Sequence, residues 1–315
     1  MFQNIRLIFQ VKNGKEIVMI EPLNVAREDF PKSEKCSEGM KILEKKYDNY
    51  EIWYHQDVVY VERPEAKLTL QLMLTKRKNP LILYVTGSAF HWQNIPPTIP
   101  KIALLANKGF NVASIQYRGS DAAPFPAQML DVKAAVRYIK SNAEKYGYNA
   151  DKIILMGDSS GGHTALMAGL TAGIPEFEEE IYSEVSSEVS GIIDLYGPTD
   201  ISKMNDEPSS QNHIEPDSPE GFLIGRKNVL ENPDLVKPTI VMNYISEERK
   251  IPPVLIFHGT NDELVPFGQS CMLYDKLKEC GKEAYFYALN GSNHGGREFW
   301  SDDIFEIIRS FIDGI

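Results

Sequence analysis

Strands and helices alternate along most of this 315-residue chain, and this alternation restricts its possible folds more than any other feature. From residue 81 onward, short apolar runs alternate with amphipathic stretches of helical length. The predicted strands are 81–85, 111–117, 152–156, 191–196, 253–258 and 284–289. The predicted helices are 99–108, 131–145, 160–171, 268–280 and 297–311. This order predicts an α/β fold with a mostly parallel central sheet and helices on both faces.

Two segments depart from this rhythm. Residues 1–50 combine a strand-like stretch, IRLIFQV, with a polar segment that contains prolines. We interpret them as an N-terminal extension that caps the site, packs on the sheet edge or contacts a second copy in a dimer. Residues 51–315 form the predicted α/β domain, which begins with two alternating stretches, IWYHQDVVYVE and KLTLQLML. After its sixth strand, residues of about 198–250 are rich in Pro, Ser, Asn and Glu, which is typical of a lid or binding insertion.

The composition limits the partners that the chain can bind. Apolar residues make up 43% and charged residues 24%, as in ordinary soluble domains. The 33 Lys and Arg against 44 Asp and Glu give a net charge of −11, which argues against nucleic acid as a partner. No apolar run approaches the roughly 20 residues of a membrane span, and the N-terminus carries no long apolar signal region. A cytoplasmic location is expected, with a secreted protein whose signal region has been removed as the alternative.

The cysteine pattern excludes two kinds of stabilising site. There are three cysteines, Cys36, Cys271 and Cys280, and no pair has CxxC spacing. An odd number without that spacing argues against a disulfide framework and against a zinc site. Cys271 and Cys280 lie on one predicted helix, too far apart to bond to each other, and we interpret them as buried packing thiols. We expect no metal.

The most specific motif is GDSSGG, which lies between the strand-like IILM and a helix of small residues. Its GxSxG core centres on Ser159, and the two flanking glycines permit a tight turn that exposes the hydroxyl at the carboxyl edge of the sheet. The backbone N–H of Ser160, at the start of the helix, is then directed at a developing oxyanion. The motif predicts that Ser159 is a nucleophile, with a helix-capping serine as the alternative.

A serine nucleophile needs a base and an orienting acid. Asp262 follows the strand VLIFHG, and His294 lies in the loop NGSNHGG after the strand AYFYAL. The order Ser159, Asp262, His294 matches the order of nucleophile, acid and base in one hydrolase fold. Glu263 is an alternative acid, although Asp262 lies nearer the end of its strand.

Three other histidines compete less well for the role of base. His258 lies within its strand, and His163 lies one turn beyond Ser159 on the same helix, so a structural role is predicted for both. His91 is the extra histidine that we expect to line the site, because it follows the segment that would supply oxyanion donors.

That segment is TGSAFHW, which comes directly after the strand LILYV. Its small residues allow close approach of the backbone, so the N–H groups of Ser88 and Ala89 are candidate oxyanion donors. An ordinary strand-to-helix loop is the alternative interpretation. The aromatic side chains that we expect to line the substrate pocket, unless they belong to the core, are Phe90, His91, Trp92 and Phe125.

Taken together, these segments resemble the α/β-hydrolase superfamily, and within it the bacterial esterase and lipase group that includes acetyl-xylan and feruloyl esterase-like enzymes. The resemblance covers about three quarters of the chain and rests on VTGSAF, YRGSDAAPFPAQMLDVKAAVRYI, ILMGDSSGGH, IIDLYGPTD, VLIFHGTNDELVP and the NGSNHGG loop. One difference is that many relatives have His-Gly-Gly-Gly where this chain has Thr86-Gly87-Ser88-Ala89. The resemblance therefore specifies the catalytic residues better than the donor loop.

The resemblance implies a serine esterase that cleaves small acyl or aryl esters, including esters on carbohydrates. Ser159 would be the nucleophile, His294 the general base and Asp262 the orienting acid, with Ser88, Ala89 and Ser160 as oxyanion donors. The expected partner is a small ester, no cofactor is needed, and a homo-oligomer is possible. Two alternatives stay open: an amide hydrolase of the arylformamidase or aminopeptidase type, and a non-catalytic binding member of the fold.

Overall fold

The computed structural model describes residues 7–12, 14–44, 51–75 and 77–315. The chain divides into two compact units, Met1–Tyr47 and Asp48–Ile315. In the first unit, strand β1 (Leu7–Lys12) pairs with β2 (Lys15–Ile20) in an antiparallel hairpin. The role predicted for residues 1–50, as a cap, an edge element or a dimer contact, stays a prediction.

The second unit is built on one eight-stranded sheet. Its strands are β3 (Trp53–Glu62), β4 (Lys67–Leu74), β5 (Leu81–Val85), β6 (Asn111–Ile115), β7 (Ile153–Asp158), β8 (Gly191–Leu195), β9 (Val254–Gly259) and β10 (Ala284–Leu289). Their spatial order is β10-β9-β8-β7-β5-β6-β4-β3. The pairs of β4 with β3 and β6 are antiparallel and the others parallel. The mostly parallel sheet predicted from the sequence is confirmed.

Eight helices accompany this sheet within the described ranges of the second unit. They are α1 (Ile99–Asn107), α2 (Ala127–Ser141), α3 (Ala143–Tyr146), α4 (Ser160–Leu170), α5 (Pro219–Leu223), α6 (Pro233–Val236), α7 (Gly268–Glu279) and α8 (Asp302–Gly314). The sheet separates two apolar clusters, because successive side chains of a strand point to opposite faces. In β5, Leu81, Leu83 and Val85 pack with α2, α4 and α7, whereas Ile82 and Tyr84 pack with α1 and α8.

Two predicted helices, 131–145 and 297–311, differ from the structure, and the first is divided into α2 and α3 after Ser141. Helix α2 begins at Ala127, directly after Pro126, four residues before the predicted start. The amphipathic pattern alone does not show this first turn, because a helix can begin before its apolar face does. The predicted helix 297–311 is a 3-10 turn, Arg297–Trp300, followed by α8, because the extended Ser301 interrupts it.

The insertion, residues 198–250, lies between β8 and β9 and contains α5, α6 and short 3-10 turns. It has its own apolar cluster, in which Ile201, Leu223, Val229 and Val236 pack with Phe90 of the α/β domain. The insertion is therefore fixed to the loop after β5, at the carboxyl edge of the sheet.

The cysteines differ in burial. Cys280 is buried and Cys271 is partly buried, but Cys36 is exposed. The predicted burial is thus confirmed for Cys280 and only partial for Cys271, and Cys36 lies in an irregular part of the N-terminal unit. In the parts of the chain that the structure describes, none of the helices is long and apolar enough to cross a bilayer.

Candidate active site

Ser159 occupies the turn between β7 and α4 in a strained backbone conformation. Its φ is 54° and its ψ is −129°, outside the regions that L-residues favour. Two close approaches require glycine around it: a Cβ on Gly157 would overlap the carbonyl of Gly161, and a Cβ on Gly161 would overlap the carbonyl of Val85. Both glycines of GxSxG are therefore needed because no side chain fits at either position.

Three loops at the carboxyl ends of strands bring Ser159, His294 and Asp262 together. The Ser159 Oγ lies 2.9 Å from Nε2 of His294. On the other side of the ring, His294 Nδ1 lies 2.7 Å from Oδ2 of Asp262. These distances place a hydroxyl, an imidazole and a carboxylate in one hydrogen-bonded series, which is the arrangement that activates a serine.

Asp262 is held as a carboxylate by more than His294. The N–H groups of Leu264 and Val265 each donate to Oδ1 at 2.9 Å, and His258 Nε2 lies 3.2 Å from Oδ2. Burial alone would raise the pKa of Asp262, but the hydrogen bonds from His258 and His294 lower it well below the ordinary value. Asp262 thus stays charged and orients the His294 ring.

His258 is a residue whose contact the sequence analysis missed. It is fully buried, and its Nδ1 lies 2.7 Å from the Ser270 hydroxyl. The structural role predicted for it agrees with this burial, but its contact with Asp262 depends on the loop that folds back over the strand end. Nothing in the sequence pattern shows that loop path.

The loop after β5 presents one of its two predicted oxyanion donors. The N–H of Ser88 already donates to Oγ of Ser160 at 2.9 Å, so it is not free for a ligand. Among the described residues, no acceptor lies in hydrogen-bond geometry with the backbone N–H of Ala89 or of Ser160. The structure therefore differs from the prediction for Ser88 and leaves Ala89 and Ser160 as available donors.

The same loop has an unusual backbone, because Ala89 and Phe90 both have positive φ, 52° and 64°. Non-glycine residues rarely adopt this conformation. Hydrogen bonds around the loop stabilise it: the Ser88 hydroxyl donates to the carbonyl of His91, and the Tyr117 hydroxyl donates to the carbonyl of Thr86.

A cavity of about 410 Å³ opens at Ser159. The strand-end loops contribute Ser159, His294, Tyr196, Leu264, Val265, Asp158, Ser160, the glycines of the His294 loop and residues 87–90. Lys101 of α1 also lines the cavity, and the insertion contributes Pro198, Gln211, His213, Pro219 and Glu220. The cavity thus has both apolar and polar walls.

Of the four predicted pocket aromatics, only Phe90 lines this cavity. His91 packs edge-on against Phe222 at 4.8 Å between ring centroids, and Trp92 is about 38% exposed. Phe125 packs against Phe177. His91 and Trp92 differ from the prediction because the chain reverses at the positive-φ residues Ala89 and Phe90. Phe125 differs because it packs against the core, which is the alternative that the sequence left open.

The insertion adds polar residues that the sequence analysis did not select. His213 is 2% exposed, and Glu220 is 3% exposed. His213 Nδ1 lies 2.9 Å from Oε2 of Glu220. The insertion has no helical or strand periodicity, so no sequence signal marks either residue as buried.

His163 has the structural role that the sequence predicts. It is buried one turn beyond Ser159, its Nδ1 lies 3.0 Å from the carbonyl of Pro198, and its ring packs edge-on against Phe90. Burial lowers the pKa of His163 to about 4, so the ring is neutral near pH 7. In the described ranges, no group of three or more His, Cys, Asp or Glu side chains is arranged to hold a metal ion.

Comparison with known proteins adds to this geometry. A family model, BD-FAE, matches residues 70–277. Esterase LipC of Mycobacterium tuberculosis is 27% identical over 218 residues, which cover 69% of this chain and 53% of that protein. This chain spans about half the length of the curated relatives that it matches most strongly.

Solved structures show the same fold. A truncated carbohydrate esterase from gut microbiota superposes with a TM-score of 0.74 at 30% identity, covering 85% of this chain and 96% of that chain. A thermophilic esterase from Thermogutta terrifontis, solved with propionate, superposes with a TM-score of 0.65 at 21% identity, covering 84% of this chain and 94% of that one. The α/β-hydrolase fold predicted from the sequence is confirmed.

Proposed function

The chain belongs to the BD-FAE family, and from this premise we propose that it is a serine carboxylic ester hydrolase acting on small acyl esters. The observation that carries the proposal is the hydrogen-bonded series Ser159, His294, Asp262, of which Ser159 and His294 line a cavity. The names of the relatives support it, because the similar proteins are called esterases or carboxylic ester hydrolases.

The proposed reaction is a double displacement. His294 Nε2 takes the proton of Ser159 as Oγ forms a bond to the ester carbonyl carbon, and the carbonyl oxygen becomes an oxyanion. The N–H groups of Ala89 and Ser160 then donate to that oxyanion. As the tetrahedral species collapses, the bond to the alcohol oxygen breaks and His294 returns the proton to that oxygen.

The second half of the cycle frees Ser159. Water gives a proton to His294 and attacks the acyl-enzyme carbonyl, and the bond to Ser159 Oγ breaks as His294 reprotonates it. Asp262, charged throughout, stabilises the imidazolium that forms in each half. We propose that the acyl group is small, acetyl or aryl, and that the alcohol portion is a carbohydrate.

The test compares initial rates on p-nitrophenyl acetate for the native protein and its Ser159→Ala variant. Loss of the nucleophile is expected to lower kcat/KM by at least about 10⁴-fold. The matched control, Ser310→Ala, removes an exposed hydroxyl of α8 and should leave the rate unchanged. Equal rates for native and Ser159→Ala would contradict the proposal, and faster turnover of p-nitroacetanilide than of the ester would favour an amide hydrolase.

A further inference from the structure

Two side chains join the loop after β5 to the turn that carries the nucleophile. Asp158 Oδ1 accepts a hydrogen bond from the N–H of Gly87 at 2.7 Å. Ser160 Oγ accepts one from the N–H of Ser88 at 2.9 Å. Asp158 and Ser160 are both buried and stand on either side of the nucleophile in the sequence. Two consecutive N–H groups of the loop are therefore bonded to this turn, and the next one along the chain is that of Ala89.

The backbone of this loop needs contacts from outside to keep its conformation. Ala89 and Phe90 have positive φ, which residues with a Cβ disfavour. The bond to Ser160 is made by Ser88, the residue directly before this pair, so it acts on the peptide unit next to the proposed donor. Loss of the Ser160 hydroxyl would release that peptide unit from the nucleophile turn, and the N–H of Ala89 would shift with it.

The two links to the nucleophile turn differ in charge. The Asp158 carboxylate also lies 3.4 Å from the ammonium group of Lys101, which lines the cavity, so its removal would change the charge at the site. The Ser160 hydroxyl is neutral, and its removal changes only a hydrogen bond. The hydroxyl of Ser88 does not replace it, because that hydroxyl donates within the loop, to the carbonyl of His91. Ser160 is therefore the residue at which the position of the loop can be tested alone.

We propose that the hydroxyl of Ser160 is a positioning group, which holds the N–H of Ala89 where the oxyanion forms. This inference rests on the proposed esterase function and gives Ser160 a second role, distinct from that of its backbone N–H. Donors that are fixed in advance stabilise the developing charge without reorganisation, so a shift of the loop slows the chemical steps more than it weakens substrate binding. The N–H of Ser88 accordingly supports the donor and is not itself a donor.

The test is Ser160→Ala, which removes the hydroxyl and keeps the backbone N–H. On p-nitrophenyl acetate, kcat should fall about 10-fold while KM stays within about 2-fold, because the oxyanion exists only after attack. The second readout is the affinity for phenylboronic acid. Ser159 Oγ bonds to its boron as His294 takes the serine proton, and the tetrahedral boronate presents an oxygen to the donors. That affinity should also fall about 10-fold.

The matched control is Thr171→Val, which removes a buried hydroxyl at the far end of α4 that donates to the carbonyl of Met167. It should leave kcat and the boronate affinity within about 2-fold of the native values, whatever it does to the melting temperature.

Three results for a folded Ser160→Ala would overturn the inference and leave the esterase proposal intact. An unchanged kcat would make the hydroxyl a packing group, and a higher KM at unchanged kcat would make it a part of substrate binding. Faster turnover would mean that the freed N–H of Ser88 acts as a donor. If the native protein hydrolyses no ester, the esterase proposal fails and this inference fails with it.

Discussion

Two regions form the cavity, and they hold their residues in different ways. The strand-end region, which we define as Ser159, Asp262 and His294, lies on loops whose positions follow from the parallel register of β7, β9 and β10. The insertion places His213 and Glu220 through short turns and through contacts with other loops. The first region is constrained by the sheet and suits the chemistry that all esters share. The second lies outside the sheet and is positioned by turns and loop contacts, and we propose that it takes part in substrate choice.

The largest effect that separates the two regions is expected from Asp262→Asn. The amide cannot hold the His294 tautomer that accepts the serine proton, so kcat/KM should fall by about 10³- to 10⁴-fold. The loss should be equal for p-nitrophenyl acetate and for a sugar acetate, because the base serves both. Initial rates on the two esters measure this.

Glu263→Gln is the control for that variant. Glu263 is the neighbouring carboxylate and is exposed, so its loss should change the rates by less than about 3-fold. A loss for Asp262→Asn that is confined to one ester would contradict the division of roles, as would a larger loss for Glu263→Gln.

The strand-end region could be predicted because its residues follow directly from strand ends. Apolar runs located β7, β9 and β10, and the carboxyl ends of parallel strands meet at one edge of the sheet. The sequence therefore predicts that Ser159, Asp262 and His294 lie close together at this edge. The contact of His258 with Asp262 was not predictable, because it depends on the path of one loop.

A smaller, pH-dependent effect on stability is expected at Asp194, in the strand that directly precedes the insertion. Burial raises the pKa of Asp194, near the end of β8, to about 7, although the N–H of Gly197 donates to Oδ1 at 3.1 Å. An aspartate in the unfolded chain titrates near 3.9. The folded protein thus keeps a proton that the unfolded chain has released, and this group lowers the free energy of unfolding as the pH rises from about 4 to 7.

Asp194→Asn should remove that dependence. The melting temperature of the variant minus that of the native protein should rise by several degrees between pH 5 and pH 8. This corresponds to a change in the free energy of unfolding on the order of a few kcal/mol. Thermal unfolding at several pH values measures it, with the exposed Asp151→Asn as the control. If the melting temperatures of the native protein and Asp194→Asn changed with pH in the same way, the assignment would be contradicted.

The smallest effect is expected at the donor loop. Ala89→Gly removes the strain of a Cβ at φ 52°, which offsets the greater freedom of glycine in the unfolded chain. We expect stability within about 1 kcal/mol of the native value and kcat/KM within about 3-fold. Ala103→Gly, inside α1, is the control and should cost about 1 kcal/mol.

The rate of Ala89→Gly shows whether the residues that contact the donor loop set its geometry. A loss of more than about 10-fold in kcat/KM for Ala89→Gly, with the fold intact, would mean that the alanine methyl group itself holds the donor in place. The sequence TGSAFHW differs from the His-Gly-Gly-Gly loop of many relatives, so the geometry of this donor loop was less predictable than the strand-end region.

The cavity wall was less predictable for physical reasons. His91 and Trp92 follow a strand, but the positive φ of Ala89 and Phe90 turns the chain, and no sequence signal marks such angles at non-glycine residues. In the insertion, nothing in the sequence distinguishes the buried Glu220 and His213 from solvent-exposed Glu and His residues elsewhere in the chain. Burial there depends on the packing of Leu223 and Val229 against Phe90, which only the folded chain shows.

The most direct test of the central claim is covalent labelling with diethyl p-nitrophenyl phosphate, followed by peptide mass spectrometry. An activated serine attacks this phosphate ester and is trapped as a stable phosphoryl derivative. We predict one diethylphosphoryl group per chain, on the peptide that contains Ser159, with loss of ester turnover in proportion and no label in Ser159→Ala. Full labelling of Ser159 with turnover unchanged, or inactivation with the label on another residue, would contradict the account.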